Sequence, residues 1–260
     1  MKLLVIIAIL SMKLLYLFLA STLCLHSQIP TPVQKLMKHY PQIKSYENGK
    51  LIFQDNSSIL YDDGTIKSHK ELLENADIED MFKLNYSKGS MPKNSSKNSD
   101  PGRYRNEAFF RKIYGNTANE VEKNLVEIVW CPKLVNQKIR VSKINGLDKK
   151  LEAISRELDE HPELRKYLTN VGGTFNWRYI SGTKRLSQHS FGASIDINIK
   201  YSHYWQWDSK STNENVSLNY KNQIPQIIVD IFEKHGFIWG GKWYHYDTMH
   251  FEYRPELLED

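Results

Sequence analysis

Cysteine is almost missing from this chain, with 2 in 260 residues. Cys24 falls in the apolar N-terminal segment, which leaves Cys131 alone in the rest of the chain. An intramolecular disulfide is thereby excluded from a mature form, and the fold must be held by its core or by a metal. Cys131 lies in Ile128-Val129-Trp130-Cys131-Pro132, an apolar setting that suits a buried inert thiol better than a nucleophile. Long apolar runs are missing as well. Leu3 to Leu10 is interrupted by Ser11-Met12-Lys13 before Leu14 to Ala20. This is too short and too broken for a spanning helix and reads as a secretory signal over residues 1–27, with a retained membrane anchor as the alternative. The expected destination is outside the cytoplasm: a periplasm, a cell envelope or the medium. Dense Lys/Arg runs are missing too, and the formal net charge is only +5. That balance favours anionic partners weakly, and nucleic acid is not expected among them. No internal repeat is visible.

What is present is an ordinary globular mixture, 40% hydrophobic and 25% charged. Residues 28–85 read as a small N-terminal region, with strands at Leu51-Ile52-Phe53 and Ser58-Ile59-Leu60-Tyr61 and a helix capped by Ser68. Residues 86–102 are rich in Ser, Asn, Lys and Gly and read as a linker or exposed loop. From 103 to 260 the chain reads as one further domain. Helical spacing runs over 106–114 and 117–129, and over 147–168 with a break near His161-Pro162. Strand patterns cover 135–141, 174–180, 195–199 and 243–253, and 225–235 is an amphipathic helix closed by Gly236. Strands concentrated in the C-terminal half and mixed with helices predict an α+β fold with a small antiparallel sheet and flanking helices.

Two short stretches carry the chemistry. Ser187-Gln188-His189-Ser190-Phe191-Gly192-Ala193-Ser194-Ile195-Asp196 places an imidazole and a carboxylate around small residues that let backbone approach a site. Asp196, between two isoleucines on a strand, wants a cationic partner, and a metal suits it; a solvated strand Asp and a surface His are the alternative. Trp243-Tyr244-His245-Tyr246-Asp247-Thr248-Met249-His250-Phe251-Glu252 sets Asp247 and His250 in aromatic surroundings. Residues three apart do not share a face of a regular strand, so both reach one site only if the chain bends near Thr248-Met249. A structural Asp–His hydrogen bond is the alternative. Two imidazoles and two carboxylates are the donor set of a mononuclear zinc site with one position open to water.

Ser-x-His-x-x-Gly-x-Ser-x-Asp, followed by Trp239-Gly240-Gly241-Lys242-Trp243 and Asp247-x-x-His250-Phe251-Glu252, resembles a family of zinc metallopeptidases. Its members include D-alanyl-D-alanine carboxypeptidases, the D-Ala-D-Ala dipeptidases of vancomycin resistance and phage L-Ala-D-Glu endolysins. The resemblance covers 172–255 and extends plausibly to Asp100-Pro101-Gly102. It implies the hedgehog/DD-peptidase fold, with Zn2+ held by His189, Asp196 and His250 and Asp247 as the general base. It further implies an arginine for the scissile carbonyl, Arg178 before Arg185, and substrate contacts from Ser187, with Arg185, His245 and Trp243 as further substrate-binding candidates. His245 suits an aromatic cluster equally well, and it is the only obvious fourth ligand if the zinc were structural. The implied partners are peptidoglycan stem peptides, met by a monomer, with a tether through the N-terminus if the signal is retained. The expected reaction is D-Ala-D-Ala carboxypeptidase-like. L-Ala-D-Glu cleavage and a non-catalytic zinc-containing binding module are the alternatives.

Overall fold

The computed structural model describes residues 28–89 and 95–258. The expected signal, residues 1–27, lies outside the described residues, as do 90–94 of the expected linker. Among the described residues no helix is long and apolar enough to cross a membrane. From Thr31 onward the chain forms one compact unit.

That unit contains short helices and small antiparallel sheets. β1 (Ile43–Glu47), β2 (Lys50–Phe53) and β3 (Ser58–Leu60) form one sheet. β4 (Leu125–Trp130) and β5 (Gln137–Ser142) form a two-stranded ladder. β6 (Ser194–Asp196), β7 (Phe237–Trp239) and β8 (His250–Tyr253) form the third sheet in the order β6-β8-β7, all antiparallel. The architecture is therefore α+β.

Local signals account for much of this. Ser68 caps His69–Asn75 with a complete capping box to Glu71. The Asn106 side chain caps Glu107–Tyr114. Leu147–Leu158 buries Leu147, Leu151, Ile154 and Leu158 along one face, and the chain breaks at His161-Pro162 as expected. Two elements differ from expectation. The span 117–129 is not one helix: Ala118–Glu122 is helical, and Leu125–Trp130 is β4. There Ile128 and Trp130 point inward while Glu127 and Val129 face out, the period of two that a strand needs. Residues 174–180 alternate without becoming a ladder strand; only an isolated bridge joins Tyr179 to Leu186.

The N-terminal region packs into the same core as the rest. Val33, Leu36, Tyr40 and Phe53 share one buried cluster with Phe109, Ile195 and Phe251. The Tyr40 hydroxyl donates to Glu256 at 2.8 Å, and Glu256 pairs with the fully buried Arg254. The segment expected as an exposed linker is anchored at both ends. Tyr86 is buried and donates to Glu233 at 2.6 Å, and Asp100 is completely buried.

The third sheet positions the site. Under it lies helix Gln226–Lys234, whose Phe232 stacks on Phe251 with ring centroids 3.9 Å apart. Burial of such a ring contributes roughly 1.5–3 kcal/mol. Gly192 joins this sheet to the ladder of β4 and β5. Its φ is +61°, and a Cβ there would stand 2.7 Å from Leu125 Cδ2. Its carbonyl accepts from Ser142 N–H at 3.1 Å. A side chain at this position would be strained and would push the His189 turn away from the ladder.

Candidate metal centre

His189 stands in a one-turn 3-10 helix, Gln188–Phe191, begun by Ser187, whose hydroxyl accepts from His189 N–H. Its Nδ1 lies 3.2 Å from the Thr174 carbonyl. A carbonyl only accepts, so Nδ1 carries the proton and Nε2 presents a lone pair. That lone pair faces Asp196 Oδ2 at 3.1 Å. Asp196 closes β6 and lies directly opposite His250 in the antiparallel register. His250 Nδ1 is 2.9 Å from Asp196 Oδ1, and its Nε2 is 3.1 Å from Glu252 Oε2. His250 and Glu252 are two apart on β8 and share a face. Glu252 is itself held by Arg105 and Arg254.

Two imidazole nitrogens and a carboxylate therefore converge, while the far nitrogen of each ring is anchored. Such anchoring fixes the tautomer and the orientation of a metal-binding histidine. Ligand atoms of His189, Asp196 and His250 all lie within 4.8 Å of one another. One tetrahedral zinc ion with bonds of about 2 Å sets its ligand atoms roughly 3–3.5 Å apart, so the set fits. Electrostatics agree. Burial opposes the charge on Asp196, but His189 and His250 hold its carboxyl far below the usual range. Burial pulls His250 down, yet Asp196 and Glu252 lift it to about 10. The carboxylate demands positive charge at this point, as a proton or as a metal.

Asp247 lies beside the cluster and outside it. The chain turns at Thr248–Met249, and His250 N–H returns to the Asp247 carbonyl at 3.2 Å. The final strand thus begins only at His250, shorter than expected, and the bend puts both side chains in one cleft. Gly240 makes room for it, since a Cβ there would sit 2.7 Å from the Asp247 carbonyl oxygen. Asp247 Oδ1 is buried without a hydrogen-bond partner. Burial and then the charge of Asp196 push its carboxyl up to about 7.

The cleft has a volume of about 450 Å³ and is lined by Arg178, Ser187, Tyr204, Trp207 and Asp247 together with the three candidate ligands. Arg178 is exposed on its wall, and its charge acts on Asp247 against the upward shift. Ser187 is buried and spends its oxygen on the His189 turn. Trp243 packs at 5.8 Å against His250 and donates from Nε1 to the Pro101 carbonyl. Arg185 does not line this cleft; it lines the cavity next to it. His245 reaches the cleft wall, but both its ring nitrogens are taken. Nδ1 is 2.7 Å from Asp100 Oδ2, and Nε2 is 2.9 Å from the Glu214 carbonyl. It is not placed to be a fourth ligand.

Thr174 and Arg105, which orient the two imidazoles, were not singled out from the sequence. Thr174 acts through its backbone, and Arg105 is 147 residues from the Glu252 it holds. No local pattern marks either.

Residues 181–253 match the family model described as D-alanyl-D-alanine carboxypeptidase. The match contains His189, Asp196, Asp247 and His250 and stops short of Arg178. No curated protein and no solved structure matches the chain.

Proposed function

From the match of residues 181–253 to the D-alanyl-D-alanine carboxypeptidase family model, we infer a zinc hydrolase of peptidoglycan stem peptides, D-Ala-D-Ala carboxypeptidase-like in the bond it cuts. The observation that carries this reading is the partnerless Oδ1 of Asp247 in the same cleft as the three convergent ligands. His189, Asp196 and His250 would hold the metal. Zinc in such a three-ligand site polarises a carbonyl and lowers the pKa of water to about 7. Asp247, whose carboxyl is raised by burial, takes a proton from the attacking water on its free oxygen and returns it to the leaving amine. Arg178, which lines the same cleft, donates to the scissile carbonyl oxygen as that atom gains charge. The aromatic wall from Tyr204 and Trp207 lies along the bound peptide.

Export is part of the proposal and rests on the broken apolar segment at the N-terminus. So is action as a monomer on cell-wall peptides, without nucleic acid. The test is mass spectrometry of muropeptides digested by the zinc-loaded protein. Loss of a terminal alanine is the expected product, whereas fragments split between L-Ala and D-Glu would reassign the bond. Muropeptides and D-Ala-terminated peptides both left intact would overturn the reading.

A further inference from the structure

Next to the metal cleft lies a second, larger cavity of about 760 Å³. Arg103, Arg105 and Ile180 line both spaces, so the two adjoin. Its far wall comes from Leu73–Asn75, and its apolar floor from Phe110 and Phe191. Apart from the 181–191 stretch, these walls lie outside the residues that match the peptidase family.

The charges in this cavity do not balance. Arg103 is paired with Asp100 and Glu214, and Arg105 with Glu252. Glu107 spends one oxygen on Arg111 and the other on Leu186 N–H. Arg185 has no such partner: its Nε is buried and makes no hydrogen bond. Burial and the like charges of Arg103 and Arg105 lower its pKa to about 10, which still leaves it a cation at neutral pH. Glu214 and Glu74 offset it only at a distance, and Glu74 is exposed. A half-buried, unpaired guanidinium beside apolar rings is a poor structural element and a good receptor for a carboxylate, which it can grip with two parallel hydrogen bonds.

We propose that this cavity is a subsite for a carboxylate carried by the peptide substrate away from the scissile bond, received by Arg185. The proposal rests on the peptidase reading for its substrate class. The apolar floor takes the methylene or methyl groups that carry the acid, and Arg185 fixes its position relative to the cleft. Specificity then comes from a side-chain charge as well as from the residues flanking the cut bond.

The test is a panel of peptides in which one carboxylate is moved along the chain, each paired with its carboxamide. Hydrolysis is followed with the zinc-loaded full chain, and binding by calorimetry with the metal-free full chain. At one position the carboxylate is expected to be preferred about tenfold or more, the scale of a charge-assisted contact. Arg185→Gln should reduce that preference to near one, and Arg185→Lys should restore part of it. Because Arg185 is a half-buried charge without a partner, Arg185→Gln should also leave the melting temperature unchanged or raise it, whereas a merely structural arginine would lower it. A preference absent at every position, or surviving in Arg185→Gln, overturns the subsite. Hydrolysis without preference removes the subsite and leaves the peptidase reading intact. Arg185-dependent binding without hydrolysis does the reverse.

Discussion

Two groups of imidazoles and carboxylates lie close together in this protein, and they are balanced in opposite ways. In the first, His189, Asp196 and His250 converge; in the second, His69, Asp100 and Glu214 do, and each set has its ligand atoms within 4.8 Å. Arg103 fills the second. Its Nη1 donates to Asp100 at 2.8 Å and to Glu214 at 3.0 Å, and its Nη2 to Glu214 at 2.7 Å. Burial works against Asp100, but Arg103 and His245 keep its carboxyl at about 2. The first group has no lysine or arginine on its carboxylate; in the metal-free protein its positive charge is the proton that Asp196 and Glu252 hold on His250. Its rings are anchored from behind, and each turns one nitrogen towards the same carboxylate, where a metal can replace the proton. Residue types alone do not distinguish a metal centre from an ion-pair network; the presence or absence of a permanent internal cation does.

The largest effect should come from Asp247, the base of the proposed reaction. Asp247→Ala is expected to lower kcat by about 10²–10⁴ while one zinc per chain remains bound, as read by steady-state kinetics and metal analysis. If the metal is lost with it, Asp247 belongs among the ligands. Next is the cation of the second group. Arg103→Ala leaves Asp100 and Glu214 buried without compensation and should cost about 3–5 kcal/mol in a denaturant titration. Wild-type protein should bind one zinc, and a second equivalent bound at Asp100 and Glu214 would break the contrast between the groups. Glu252→Gln should weaken zinc affinity about 10–100-fold in a competition titration, because the His250 ring loses its charged anchor. A change of less than threefold would mean that Glu252 serves only Arg105 and Arg254.

The last effect is on pH dependence. Asp247 has a folded carboxyl near 7 against about 3.9 in an unfolded chain. Between these values the folded metal-free protein holds the extra proton, so stability falls as pH rises through that window. Asp247→Asn should flatten this fall and raise the melting temperature of the metal-free protein at pH 7. Bound zinc would offset the Asp196 charge that helps raise this carboxyl, so in the zinc-loaded enzyme the acid limb of kcat/KM should lie below the metal-free value of about 7. A limb at 7 or above would show that zinc does not offset that charge.

What was legible in the sequence was local. Ser68 with Glu71, Asn106, and the proline at 162 mark helix ends within a few residues, and their partners are as near. His189 with Asp196, and Asp247 with His250, are likewise close in the chain. The helical reading of 117–129 failed because the charged start, Asn119 to Lys123, does suit a helix, while the alternation that follows answers to β5 across the ladder. The reading of 86–102 as a linker or exposed loop misses the burial of its two ends for a related reason. Its composition is polar, but Tyr86 and Asp100 are buried against Glu233 and His245, 147 and 145 residues away. Pairing at that range leaves no trace in spacing.

The anchoring of the ligand rings has a consequence for how this active centre can be moved or borrowed. Every candidate ligand lies within 181–253, yet the Thr174 carbonyl that sets His189 and the Arg105 that steadies Glu252 do not. A fragment cut to the motif would keep its donors and lose their aim. The portable unit is the whole body from Thr31 onward, and grafting the motif into another scaffold would require carrying those two supports along with it.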